Sequence, residues 1–153
     1  MSDSILIKQV SIANEDNSEL LVSDVLIEDG IIKSVSDNLT APNNSRTIEA
    51  AGKVLLPGLY DVHVHFREPG QTSKETIATG TEAAINGGVT GVVAMPNTLP
   101  AIDSGGMVKS VLETARSDSR INFLTTGCIT KGREGKEMAA ISGMKEAGVA
   151  MIT

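Results

Sequence analysis

The sequence has few residues of several types, and each shortage excludes a class of protein. Its 153 residues include one cysteine, Cys128, so no disulfide can form within the chain. Tryptophan is absent, and one tyrosine with two phenylalanines leaves few rings to stack on nucleic-acid bases. The net charge of −6 provides no basic surface for phosphates. We therefore expect an aliphatic core and no nucleic-acid partner.

Long hydrophobic runs are also missing. No apolar run approaches the ~20 residues that span a bilayer, and the start "MSDSILIKQV" has neither the basic segment nor the apolar core of a signal peptide. A content of 41% hydrophobic and 21% charged residues is typical of a soluble globular protein. We expect a cytoplasmic protein without a membrane partner.

The pattern of polar and apolar residues changes near residue 55, so we expect two domains, residues 1–55 and residues 56–153. The first reads as short strands and turns, and Asp29-Gly30 between "VLIE" and "IIKSV" predicts a hairpin, because glycine accepts the positive φ that such turns require. The second repeats strand, loop and helix about every 30 residues, the length of a βα unit in a parallel α/β fold. Periodicity alone leaves open a doubly wound sheet and part of a barrel.

Three helices are predicted in the second part. Thr72 and Glu75 have the spacing of a capping box and predict the start of the first helix. Asp103 or Ser104 is the predicted cap of the second, and the third is expected over 135–147. The closing letters "VAMIT" predict the start of a fourth strand.

The segment "DVHVHFREPG" contains both histidines of the chain, His63 and His65. Alternate residues of a strand share a face, so these imidazoles and Arg67 are expected to project together near the carboxyl end of the strand, where parallel α/β folds build active sites. Two imidazoles placed this way can converge on one cation, and neutral imidazole suits Zn²⁺. Asp61 precedes them on the same face, either as a partner for an imidazole N–H or as a satisfied core polar group.

Arg67 and Asn97 predict an anion site beside the histidines. A guanidinium clamps a carboxylate through two parallel hydrogen bonds, and an asparagine amide can donate to the same carboxylate. Asn97 follows Pro96 in "AMPNT", at the end of the next strand. Taken singly, Arg67 is equally compatible with an ion pair to Glu68, and Asn97 with a turn.

The run "HVHFREPG", together with "AMPNT" and "ITKGREGKEMAAISGMKEAGVAMIT", closely resembles dihydroorotases of the amidohydrolase superfamily. The resemblance covers residues 53–153, and the strand-rich start resembles the small β-sandwich portion of that family. It implies an α/β fold, the N-terminal part of a (β/α)8 TIM-type barrel preceded by strands of a β-sandwich. The barrel would be incomplete, because a whole one needs about 250 residues.

The resemblance also implies an activity. Such enzymes hydrolyse dihydroorotate reversibly to N-carbamoyl-aspartate, in pyrimidine synthesis, with one or two Zn²⁺ ions. By the match, His63 and His65 are metal ligands, while His65, Arg67 and Asn97 bind the substrate carboxylate. The acid/base aspartate and the other ligands are expected beyond Thr153, so no catalytic residue is assigned here and the 153-residue chain alone is expected to be inactive.

Two other functions stay open. Allantoinases and hydantoinases share the histidine pair but generally lack an arginine at the position of Arg67 and the Met-Pro-Asn-Thr run. A non-catalytic dihydroorotase-like scaffold for aspartate carbamoyltransferase would usually have lost the metal histidines, which are present here. The expected partners are a small-molecule substrate and either a second copy of the chain or aspartate carbamoyltransferase.

Overall fold

A computed structural model of the protein describes residues 4–14 and 17–153. The chain divides into two compact units, Met1–Pro57 and Gly58–Thr153. Within the described part, no helix is long and apolar enough to cross a membrane.

The N-terminal unit is built on one mixed sheet. Its strands are β1 (Ser4–Asn14), β2 (Asn17–Glu28), β3 (Ile31–Ser36), β4 (Arg46–Glu49) and β5 (Val54–Leu55). The order is β3-β2-β1-β4, and β5 also pairs with β1. The predicted hairpin is confirmed, because Asp29 (φ 50°) and Gly30 (φ 75°) form the two-residue connection between β2 and β3. A β-sandwich remains a prediction, since the described strands of this unit form a single sheet.

The second unit alternates strands and helices, which confirms the α/β class. In chain order it contains β6 (Leu59–Val64), α1 (Ile77–Asn86), β7 (Val89–Ala94), α2 (Gly105–Asp118), β8 (Asn122–Gly127), a 3-10 turn (Lys131–Arg133), α3 (Ile141–Glu146) and β9 (Met151–Ile152). The strands lie in the order β6-β7-β8-β9 and all pairs are parallel. Their carboxyl ends therefore meet at one edge of the sheet, and the predicted fourth strand is confirmed as β9.

The first helix starts later than predicted, and the capping box at Thr72 and Glu75 is wrong. The cap is Thr76, whose hydroxyl accepts the Thr79 N–H at 3.0 Å while the Thr79 hydroxyl accepts the Thr76 N–H at 3.0 Å. Glu68 adds a second anchor, because its carboxylate accepts the N–H of Ile77 at 2.8 Å. These bonds satisfy amides that a helix start otherwise leaves without partners.

The third helix is much shorter than the predicted 135–147, since α3 spans only Ile141–Glu146. The residues before it form a loop in which Gly132, Arg133 and Gly135 all have positive φ, between 56° and 72°. A right-handed helix cannot continue through such residues. Of the two candidate caps of α2, Ser104 is the one whose hydroxyl accepts a helix amide, that of Met107.

The core of the second unit lies between the sheet and its helices. Ile77 of α1, Val92 of β7, Val108 of α2 and Met144 of α3 are all essentially inaccessible to solvent. Phe66, which directly follows His65, joins this cluster. Packing of Phe66 therefore fixes the backbone that carries the histidine pair.

Candidate metal and substrate site

The two histidines converge at the carboxyl end of β6. His63 lies in the strand and His65 just past its last residue, Val64. Their Nε2 atoms are 3.2 Å apart, and the rings meet edge to face with centroids 5.0 Å apart. Both side chains are exposed, so a ligand can reach them.

The spacing of the pair fits one zinc ion. Two imidazole nitrogens bound at 2.0–2.1 Å with a tetrahedral angle lie about 3.3 Å from each other, close to the 3.2 Å between the Nε2 atoms. Within residues 4–14 and 17–153, however, no three His, Cys, Asp or Glu side chains cluster. Since a catalytic zinc site takes about three protein ligands, the pair would supply only part of such a coordination shell.

Asn97 orients the second imidazole. Nδ1 of His65 donates to Oδ1 of Asn97 at 2.9 Å. The ring proton is therefore on Nδ1, and the Nε2 lone pair points towards His63. Metal-binding histidines are commonly held through their other ring nitrogen in this way.

Asp61 plays neither of the parts predicted for it. Its carboxylate accepts the backbone N–H of His63 at 3.0 Å, not an imidazole proton, and its side chain is exposed and not in the core. Asp61 thus fixes the backbone of β6 next to the first histidine.

The position of Asn97 depends on hydrogen bonds around Pro96. The Met95 N–H donates to the Val64 carbonyl at 2.8 Å, which ties the end of β7 to β6. The Pro96 carbonyl accepts the Ile102 N–H at 3.1 Å and the Cys128 thiol at 3.6 Å. Burial raises the pKa of Cys128, and the nearby Asp103 carboxylate acts in the same direction. The buried thiol packs here against the Pro96 carbonyl.

An open cavity of about 290 Å³ lies over these groups, near the ~300 Å³ at which ligand pockets begin. The described residues that line it are His63, His65, Met95, Pro96, Asn97, Arg133 and Thr153. The structure therefore brings together three of the four predicted site residues. Arg67 is half-buried and does not belong to this lining. Arg133, which sequence reasoning missed, does.

Known proteins resemble this chain over most of its length. The family model described as "Dihydro-orotase-like" matches residues 52–153. A dihydroorotase of Aquifex aeolicus is 45% identical over 130 residues, 85% of this chain and 31% of that protein. One from Sulfurihydrogenibium sp. is 42% identical over 149 residues, 97% of this chain and 35% of that protein. The chain thus spans about a third of the length of the curated relatives it matches.

Solved structures share the fold. The L-hydantoinase of Arthrobacter aurescens superposes with a TM-score of 0.81 at 26% identity, over 99% of this chain and 32% of that one. The D-hydantoinase of Thermus sp. gives a TM-score of 0.70 at 26% identity, over 93% of this chain and 30% of that one.

Proposed function

The chain belongs to the dihydroorotase-like family, and from this premise we propose that it acts in the reversible hydrolysis of dihydroorotate to N-carbamoyl-aspartate. The observation that carries the proposal is the pair of Nε2 atoms 3.2 Å apart at the carboxyl end of a parallel sheet, with His65 oriented by Asn97. Active sites of parallel α/β proteins are built at that edge.

In this proposal His63 and His65 hold Zn²⁺ through Nε2, as one ion or as part of a pair of ions. Bound zinc supplies polarisation of the ring amide and lowers the pKa of water. The Asn97 carbonyl keeps the His65 proton on Nδ1, so Nε2 stays available as a ligand. Water adds across the amide: a C–O bond forms at the carbonyl carbon, the C–N bond breaks, and the ring nitrogen gains a proton.

Arg67, Asn97 and His65 are the proposed contacts of the substrate carboxylate. Asn97 can serve both partners, because its Oδ1 accepts from His65 while its amide hydrogens remain to donate. None of the described side chains that line the cavity is a carboxylate. We therefore assign the general acid/base to none of the described lining residues.

The remaining features of the proposal are those expected from the sequence and from the family resemblance. The parallel sheet is the first part of a (β/α)8 barrel, the N-terminal sheet belongs to a small β-sandwich, and the protein is cytoplasmic. Its protein partner is a second copy or aspartate carbamoyltransferase.

A hydantoinase-type activity on a neutral ring is the second candidate. The TM-score of 0.81 with L-hydantoinase favours it. The relatives with 42–45% identity are nevertheless dihydroorotases. A carboxylate on the substrate distinguishes the two activities, because only dihydroorotate carries one.

A substrate comparison tests the proposal. The protein in its complete natural form is assayed with dihydroorotate, hydantoin and allantoin, each before and after treatment with a zinc chelator. We expect preference for dihydroorotate and loss of turnover with the chelator. A preference for either neutral ring would contradict the assignment.

A further inference from the structure

Arg133 is a cation at the cavity that the histidine pair and Asn97 line. It follows β8, so the carboxyl ends of three parallel strands contribute to one cavity: His63 and His65 come from β6, Asn97 from β7 and Arg133 from β8. Among the described lining residues it is the only arginine or lysine.

The loop that carries Arg133, residues 130–138, is closed by hydrogen bonds at both ends. Thr130 and Met138 form an isolated bridge, and the Ala139 N–H donates to the Ile129 carbonyl at 2.9 Å. The Thr130 hydroxyl accepts the N–H of Gly135 at 3.0 Å.

A further anchor comes from the residue before the cap of α2. The Asp103 carboxylate accepts the N–H of Gly132 at 2.8 Å, directly before Arg133. Such bonds hold the backbone of Arg133 in one place, although the side chain itself is exposed.

The backbone of Arg133 is also strained. Its φ of 64° lies in the left-handed region, where a residue with a Cβ is disfavoured by roughly 1–2 kcal/mol. Glycines occupy the other positive-φ positions of the loop, Gly132 and Gly135. Strained positions of this kind cluster at functional sites, so Arg133 is a candidate functional residue.

The other charged residues of the loop form salt bridges with one another, and the Arg133 guanidinium takes no part in them. Lys131 pairs with Glu137 and Lys136 with Glu134. Arg133 takes part in no ion pair among the residues that the structure describes. Both neighbouring acids are thus engaged elsewhere, and the guanidinium is available for an anion from solution.

We infer that Arg133 binds the carboxylate of the cyclic amide substrate and so helps to select an anionic ring over a neutral one. The inference rests on the proposed function and deepens it. A guanidinium presents a planar fork that matches a carboxylate. Arg133 therefore adds a cationic contact, from the third strand, to the contacts proposed for Arg67 and Asn97.

The test uses the zinc-loaded protein in its complete natural form and compares four variants. Arg133→Met removes the cation, Arg133→Lys keeps the charge without the fork, and Arg133→Gly removes the side chain while relieving the positive-φ strain. Lys136→Met is the matched control, since it removes a cation of the same loop that does not line the cavity. KM and kcat for dihydroorotate and the zinc content are measured for each.

We expect Arg133→Met and Arg133→Gly to raise KM about tenfold or more, the scale of a lost hydrogen bond to a charged group. Arg133→Lys should recover part of the loss, and Lys136→Met should stay within twofold of the wild type. Zinc content should not change. A merely structural role would instead leave Arg133→Gly close to the wild type, because glycine suits this backbone.

Two negative results can be told apart. If the wild type turns over dihydroorotate and Arg133→Met behaves like Lys136→Met, only the inference about Arg133 is overturned. If the wild type does not turn over dihydroorotate, the proposed function is overturned and the inference with it.

Discussion

At the scale of single residues, Asn97 is the proposed link between metal binding and substrate binding. Its Oδ1 accepts from His65 Nδ1 at 2.9 Å, and Asn97 lines the same cavity as both histidines. Removing this side chain should therefore weaken both functions.

Asn97→Ala is expected to lower zinc affinity about 10- to 100-fold, the usual effect of losing the partner of a metal-binding imidazole. The zinc dissociation constant of the complete protein, measured by competition with a chelator, checks this. Asn86→Ala is the control, since the Asn86 amide donates to the Glu82 carbonyl on the exposed side of α1. Unchanged affinity in Asn97→Ala would mean that the contact with His65 does not orient a ligand.

The sequence was informative about residues where spacing translates directly into geometry. The two-residue step from His63 to His65 along a strand end predicted their convergence. Arg133 could not be found in this way, because its approach to the cavity depends on three positive-φ residues and on the bond from Asp103 to Gly132. A loop with glycines on both sides of an arginine, at the end of a third strand, was the available signal.

At the scale of elements, α1 packs against the segment that follows the histidines. A Cβ built on Gly80 would lie 2.1 Å from Cε1 of Phe66. Glycine at this helix position therefore allows Phe66 to enter the core beside His65.

Gly80→Ala is expected to lower the free energy of unfolding by about 1–3 kcal/mol, the cost of overpacking a core. Gly106→Ala is the matched control in α2, because a Cβ there meets nothing within 4 Å. That substitution should stabilise by about 0.4–1 kcal/mol through the unfolded chain. Urea unfolding of both variants measures these changes. An unchanged free energy of unfolding in Gly80→Ala would show that Phe66 moves aside without cost.

Elements with a local signal were predicted well, and those set by long-range contacts were not. The hairpin follows from Asp29-Gly30 alone. The start of α1 was placed too early, because its cap is Thr76 and the Glu68 carboxylate binds the Ile77 amide from nine residues away. The length of α3 depends likewise on the loop before it, whose glycines accept a left-handed backbone.

At the scale of the whole molecule, the four-stranded parallel sheet has an apolar edge strand. Leu59 and Val62 of β6 are 61% and 63% exposed. Parallel sheets are normally covered on both faces, so these side chains support the proposal that β6 belongs to a closed barrel.

The repeat of strands and helices left an open sheet and a barrel equally possible. The choice came from the motifs around the histidines and from the relatives, not from periodicity. The β-sandwich stays a prediction from the family resemblance, because the described strands of the N-terminal unit form a single sheet.

The most direct test of the account is zinc-dependent ring opening of dihydroorotate. The complete protein is stripped of metal and titrated with Zn²⁺, beside its His63→Asn variant. We predict that zinc restores turnover in the wild type only, since His63→Asn loses a proposed zinc ligand. Full turnover by the metal-free protein, or by His63→Asn, would contradict the account.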